Sequence, residues 1–339
     1  MSSTTQVTDF SDIYTDLLNR LREQTSLSAS VTQAKRYVNI ALQDMHIGQG
    51  EKFAWAERRS VLVTQQEYST GTVSISQGSS TLTGSSTLWN TANAFSVTNA
   101  RVGGKIVIAG GTEVYEVQTV SSDTSITLTS AFTQADVTAG SYLYFEDEYA
   151  LDSDFLRPLD AQFFDEACDI RIIGRREFRQ RHPRNKVTGK PLVATITEHP
   201  FSGNTTPVRK IRLWRPPDDF YSIPYAFVTN KLAVSSAGTE QTSLSADADE
   251  PIVPLRYRHV IVLHALYHWY RDKKDDQRSV EAKNEYTDLL LRITGDNEVG
   301  MSTARIQPKV GPYKNTARHP YRGRSGRYTT GTRFDELRD

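Results

Sequence analysis

A change of hydrophobic period between residues 69 and 141 constrains this chain more than any other feature. On either side of that stretch, helical spacing and frequent charges dominate. Inside it only six of 73 positions are charged (Arg101, Lys105, Glu113, Glu116, Asp123 and Asp136), and 27 are Ser or Thr. The segments TVSIS, STLTG, KIVIAG, TEVYEVQTV, TSITLTS and SYLYFEDEY alternate apolar with hydroxyl residues. A period of two sends successive side chains to opposite faces of a strand, and β-branched Thr packs well on a half-exposed pleated face. Gly78, the pairs Gly103–Gly104 and Gly110–Gly111, and Ser121–Ser122–Asp123 punctuate these segments as turns. Six such strands predict a small β-sandwich or barrel at residues 66–147.

The flanks read as a scaffold, 1–65 and 148–300, into which that domain is inserted. Phe10, Ile13, Tyr14, Leu17, Leu18 and Leu21 have helical spacing, with Asp9 placed as N-cap and Asp12 in the first turn. Ser30 and Gln33 form a capping-box pattern before Val31, Ala34, Tyr37, Val38, Ala41, Leu42 and Met45. These two helices predict a hairpin ended by Gly48 and Gly50. Strands are expected at 53–64, 167–173, 191–197 and 209–215, with YSIPYAFVT as a further one and an extended YALDSDFLRPLD between. A short helix is expected from Arg175 to His182, stopped by Pro183. A second helical pair is expected at 256–271 and 277–293, with Gly295 closing it at C′. The predicted class is therefore α+β: a helical-bundle and β-strand scaffold, an inserted all-β domain, and an extended C-terminal arm at 301–339. At about 150 residues per domain, 339 residues also suggest roughly two domains.

Charge adds a second segregation. Forty Lys and Arg balance 40 Asp and Glu, but the last 39 residues carry nine basic against three acidic groups, so the body before them is acidic to the same extent. The arm interleaves Tyr313, Tyr321 and Tyr328 with Arg305, Lys309, Lys314, Arg318, Arg322, Arg324 and Arg327. Tyr and Arg are enriched at interface hot spots, and a segment that orders on binding can wrap a partner; this is the expected docking arm. Residues 171–190 hold eight basic groups against Glu177 alone. There Arg175, Arg176, Arg179, Arg181, Arg184 and Lys186 are expected to face DNA phosphates, contacted without sequence readout, to pair with acids on a neighbouring subunit, or simply to be solvated.

Catalytic signatures are missing. No phosphate-cradling glycine loop precedes a helix, and there is no GxSxG elbow. Cys168 is the lone cysteine, which excludes an intrachain disulfide and a cysteine-based zinc site, and its acidic neighbours disfavour a thiolate. His264 and His268 stand at i and i+4, but ALY fills the gap where a zincin has its Glu, and no third ligand is implied. The expectation is two histidines lining a helix interface beside Tyr267 and Trp269, with no metal and no cofactor. Acidic pairs such as Asp218–Asp219, Asp275–Asp276 and Asp247–Asp249–Glu250 fall in turns or loops where solvated carboxylates are common. No apolar run approaches the roughly 18 residues a membrane span needs, and MSSTTQVTDFSD lacks the features of a secretory signal.

The order of parts carries a resemblance. A helical hairpin, then GTVSISQGSSTLTGSSTLWN, YALDSDFLRPLD, GKPLVATIT, RKIRLWRPPDD and the pair PLRYRHVIVLHALYHWY…EAKNEYTDLLLRI together resemble the head-to-tail connector (adaptor) proteins of tailed bacteriophages, over about residues 9–295. The resemblance implies a non-enzymatic virion component of the neck, assembled in the host cytoplasm. It implies a ring of identical subunits, usually twelve, that sits under the portal protein, meets tail or nozzle proteins and encloses a channel for genomic double-stranded DNA. Family C-terminal segments often reach into the portal, which fits the basic arm by position. Two other readings stay open: a tail terminator or receptor-binding decoration in which the β-domain is the working part, and a polysaccharide hydrolase acting through Asp218 and Asp219.

Overall fold

The computed structural model describes residues 7–49, 53–159, 162–164, 169–183, 185–200 and 207–304. The chain divides into two compact units, 1–286 and 287–339, the second of which contains the end of the last helix.

Helix α1 (Phe10–Leu21) begins as its sequence predicts. The Asp9 carboxylate accepts the Asp12 N–H at 2.9 Å, which satisfies one of the orphan donors of a first turn. It ends at Arg22, whose left-handed backbone lets the next N–H bonds fold back onto Asn19 and Leu18. Helix α2 (Ser28–Gln49) starts before the expected capping box, so Ser30 lies inside the first turn and is buried. It ends at Gln49, between Gly48 and Gly50 as expected, and buries Val38, Ala41, Leu42 and Met45.

The expected strand at 53–64 is a 3-10 turn (Ala54–Ala56) followed by β1 (Glu57–Val63). The Ser/Thr-rich stretch forms β2 (Thr72–Ile75), β3 (Thr81–Ser85), β4 (Lys105–Ile108), β5 (Tyr115–Ser122), β6 (Ser125–Leu128), β7 (Val137–Gly140) and β8 (Tyr142–Phe145). That is seven strands where six were expected. The addition is β7, whose VTAG has too little alternation to announce itself. They form one curled sheet in the order β7-β2-β3-β6-β5-β4-β8. Val73, Ile75, Leu82, Ile106, Val117, Ile126 and Leu128 cluster with Trp89 and Tyr144, all of them buried. Trp89 is fully buried and donates its Nε1–H to Tyr142 Oη at 3.0 Å, so the tryptophan of the STLWN phrase fills the core. The Gly103–Gly104 pair meets two separate demands. Gly103 turns the chain at φ +88°, while a Cβ on Gly104 would lie 2.2 Å from Tyr144 Oη.

The remaining strands are β9 (Glu148–Ala150), β10 (Phe155–Pro158), β11 (Gln162–Phe164), β12 (Asp169–Ile172), β13 (Val193–Pro200), β14 (Pro207–Trp214) and β15 (Ser222–Thr229), followed by the two-residue β16 (Ala233–Val234), β17 (Glu240–Gln241) and β18 (Glu250–Pro251). One sheet is β11-β12-β13-β14-β9, another β1-β15-β10, and β17-β16-β18 forms a third. The PLVATIT and RKIRLWR strands pair antiparallel as expected, whereas YSIPYAFVT sits between β1 and β10 in the other sheet. The two larger sheets share one apolar core through Leu62, Tyr149, Phe155, Ile170, Ile211, Leu213, Ile223 and Phe227.

Helix α3 (Arg175–Arg181) precedes β13. Helix α4 (His259–Asp272) is buried on most sides and packs with α1 and α2. Helix α5 (Asp276–Ala304) does not stop at Gly295 but continues to Ala304. A propagated helix adds one bond per residue fixed, so an isolated glycine does not end it.

Candidate functional site

The junction between curled sheet and scaffold is built around Asp147, the residue just before β9. Its side chain is fully buried. It accepts Lys105 Nζ of β4 at 2.8 Å, Arg212 Nε of β14 at 2.8 Å and Asn185 Nδ2 at 3.2 Å. Asn185 Nδ2 also reaches the Leu213 carbonyl at 2.7 Å. One residue earlier, the buried Glu146 carboxylate accepts two donors of Arg101 and the Tyr144 hydroxyl. This pairing holds the Arg101 guanidinium above its usual range. Burial, with the Glu146 charge adding to it, raises the Tyr144 and Tyr149 phenols far above theirs. Tyr68 and Tyr144 exchange backbone hydrogen bonds at 2.8 Å in both directions, so the segment entering the sheet is tied to the strand that leaves it.

The basic segment divides along this junction. Phe178 anchors α3, being almost fully buried, and His182 stacks on Trp214 with ring centroids 4.0 Å apart. Arg175, Arg176, Arg179 and Arg181 are left exposed, with Arg181 paired to Glu177 at 2.8 Å. Lys186 is drawn inward instead and donates to the Gly111 carbonyl at 3.0 Å. Arg184 lies outside the described residues, as do Cys168 and the arm residues Arg305, Lys309, Tyr313, Lys314, Arg318, Tyr321, Arg322, Arg324, Arg327 and Tyr328.

A second cluster lies at the α2–α4 interface. His264 and His268 line that interface as the sequence suggests, and Asp44 of α2 joins them; one ligand atom from each lies within 4.8 Å of the others. His264 is buried, its Nδ1 is 3.3 Å from the Ala41 carbonyl, and its ring stacks on Tyr286 at 4.0 Å. Burial, reinforced by the neighbouring His268, lowers its pKa to about 4; burial lowers His268 too, against the pull of Asp44. Sequence reading found the pair but not Asp44, because nothing local marks a helix partner more than two hundred residues away. Of the acidic pairs, Asp218 accepts Tyr221 Oη at 2.8 Å and Asp219 accepts the Phe220 N–H at 2.8 Å. Asp249 is buried and accepts four hydrogen bonds, from Gln241 and from Ser245 and Ala246. These arrangements hold turns in place.

A curled sheet is thus joined through buried ion pairs to a mixed scaffold, with an exposed arginine face beside the junction. The family comparison gives the class: residues 107–308, more than half the chain, match phage adaptors, which are structural proteins of the virion and not a known enzyme family. The chain belongs to the SU10 adaptor protein family. The matched stretch begins within β4, after Lys105, and takes in Asp147, Asn185 and Arg212 of the junction, most of the scaffold strands and α4. Comparison with curated proteins gives no match.

Proposed function

We propose that this adaptor joins capsid to tail: copies of the chain form a ring, twelve in number, beneath the portal protein, and genomic DNA passes through the ring. The observation that carries this reading is the family match across the scaffold. The junction supports it. A ring of identical subunits needs one face to complement a different face on the next copy, and such faces must be held rigidly relative to each other. The network of Lys105, Asp147, Asn185 and Arg212 fixes the curled sheet against the scaffold, while the α3 arginines stand outward for a neighbour or for DNA. The arm from residue 301 docks on the portal, and tail or nozzle proteins take the opposite side of the ring.

Negative-stain images of the purified chain, alone and mixed with portal, test this. Rings seated on portals are the expected result, and truncation after Ala304 is expected to leave a folded protein that no longer stays on them. Particles that never associate with portal would overturn the reading. Unchanged retention after truncation would remove the arm from it. Host attachment abolished by removing the β-domain, with assembly intact, would favour a receptor-binding decoration.

A further inference from the structure

We propose that Asp44, His264 and His268 form a binding site for a divalent transition metal, of the zinc type, that cross-links α2 to α4. The inference is independent of the assembly reading. His264 and His268, one turn apart on α4, present imidazoles on one helix face, with ring centroids 4.7 Å apart. Asp44 comes from the facing helix and its side chain is half exposed, which gives a metal an entry path from solvent.

The details of each ligand suit coordination better than simple pairing. His264 Nδ1–H faces the Ala41 carbonyl at 3.3 Å. That donation places the lone pair on Nε2, the arrangement in which a ligating histidine gives its other nitrogen to a backbone carbonyl. His268 Nε2 is buried and lies 3.2 Å from Asp44 Oδ2, yet off the direction of a hydrogen bond. It has the proximity of a partner without the bond. Both rings are held in orientation by aromatic neighbours: His264 by Tyr286 at 4.0 Å and 14°, His268 by Tyr37 at 6.4 Å and 7°.

Two imidazoles and a carboxylate match the donor preference of zinc and its first-row neighbours rather than magnesium or calcium. Zinc bonds of about 2.0–2.1 Å set tetrahedral ligand atoms about 3.3 Å apart. Asp44 Oδ2 and His268 Nε2, 3.2 Å apart, already have that spacing, and closing the 4.8 Å cluster around a metal requires the His264 ring to move toward them as well. Water completes the shell, and the metal acts as a staple between helices.

The test uses the untagged full chain, stripped with chelator and titrated with zinc chloride by calorimetry, with melting temperature recorded alongside. The expected result is one zinc per chain and a raised melting temperature, with magnesium at the same concentration producing neither. Asp44→Asn changes a half-exposed group, so its melting temperature in chelator should match the parent while its zinc affinity falls at least tenfold; His268→Gln should weaken zinc similarly. A parent chain that takes up no zinc, or an Asp44→Asn chain that binds it with unchanged affinity and stabilisation, would overturn the site. If His268→Gln fails to fold, Asp44→Asn alone decides.

Discussion

Lys105 and Asp147 lie 42 residues apart and meet at 2.8 Å, with the Asp147 carboxylate fully buried and shared with Arg212. A buried carboxylate with two cations and an amide around it is stable only while its partners remain. Removing one side of a buried pair typically costs about 3–5 kcal/mol, because the other side is left charged and unsolvated. Asp147→Ala leaves Lys105 and Arg212 only the longer contacts to Glu148, at 4.0 and 3.7 Å, so it should cost about 3 kcal/mol, the low end of that range, in urea unfolding. Lys105→Ala should cost less, since Arg212 still answers Asp147.

The paired backbones of Tyr68 and Tyr144 bring the ends of the curled sheet side by side. A two-residue turn replacing residues 69–143 should therefore leave a folded scaffold with Asp147 and Arg212 still joined. Cutting at 66–147 removes Asp147 itself and should lower scaffold stability. Circular dichroism melts of the two deletions compare them directly.

Gly104 has no room for a methyl group beside Tyr144. Gly104→Ala should destabilise the curled sheet by about 1–3 kcal/mol, the usual cost of overpacking. A chemical-denaturation midpoint unchanged from the parent would contradict the close approach.

Asp249 anchors the start of α1: its carbonyl accepts the Phe10 N–H at 2.8 Å, and the Asp247 carbonyl accepts Ser11 N–H at 3.0 Å. Backbone hydrogen bonds from Ala246 and Ser245 hold the Asp249 carboxyl below its ordinary value of 3.8, outweighing burial. The unfolded chain therefore binds a proton more readily than the folded one between the depressed value and 3.8. The stabilisation is present above that window and disappears as pH falls through it. Stability measured from pH 6 down to pH 2 should drop less steeply in Asp249→Asn than in the parent.

Arg175, Arg176 and Arg179 are exposed on α3. Replacing all three with alanine should change stability by no more than about 0.5 kcal/mol per site, since even the neighbouring Arg181–Glu177 pair is an exposed one worth under about 1 kcal/mol. Assembly on portals should nevertheless fall, counted as seated rings in electron micrographs. If the arginines instead face DNA, the variant will show a shallower salt dependence of DNA binding, by roughly 0.9 in log–log slope for each phosphate no longer neutralised.

Legibility followed the range of the interaction. The Asp9 cap and six of the seven strands of the curled sheet were readable because capping and alternation act within a few residues. The end of α2 falls at Gln49, between the two glycines expected to close it, whereas the end of the last helix was misplaced at Gly295, where helix propagation outweighs one glycine's preference. The partition of the scaffold strands was not readable either. The YSIPYAFVT strand joins β1 and β10 because Ile223, Tyr225 and Phe227 fill a core built from both sheets.

A low-charge, Thr-rich run of β-strands flanked by charged α+β segments was legible from residues alone, since side-chain period and turn chemistry are local properties of the chain. How those parts are fastened was not, because it depends on contacts between distant residues. Asp147 meets Lys105 and Arg212, Lys186 reaches Gly111, and Asp44 faces His264 and His268. Burying a charge or an imidazole is favourable only beside a matching group, and which group arrives there is set by the packing of distant elements.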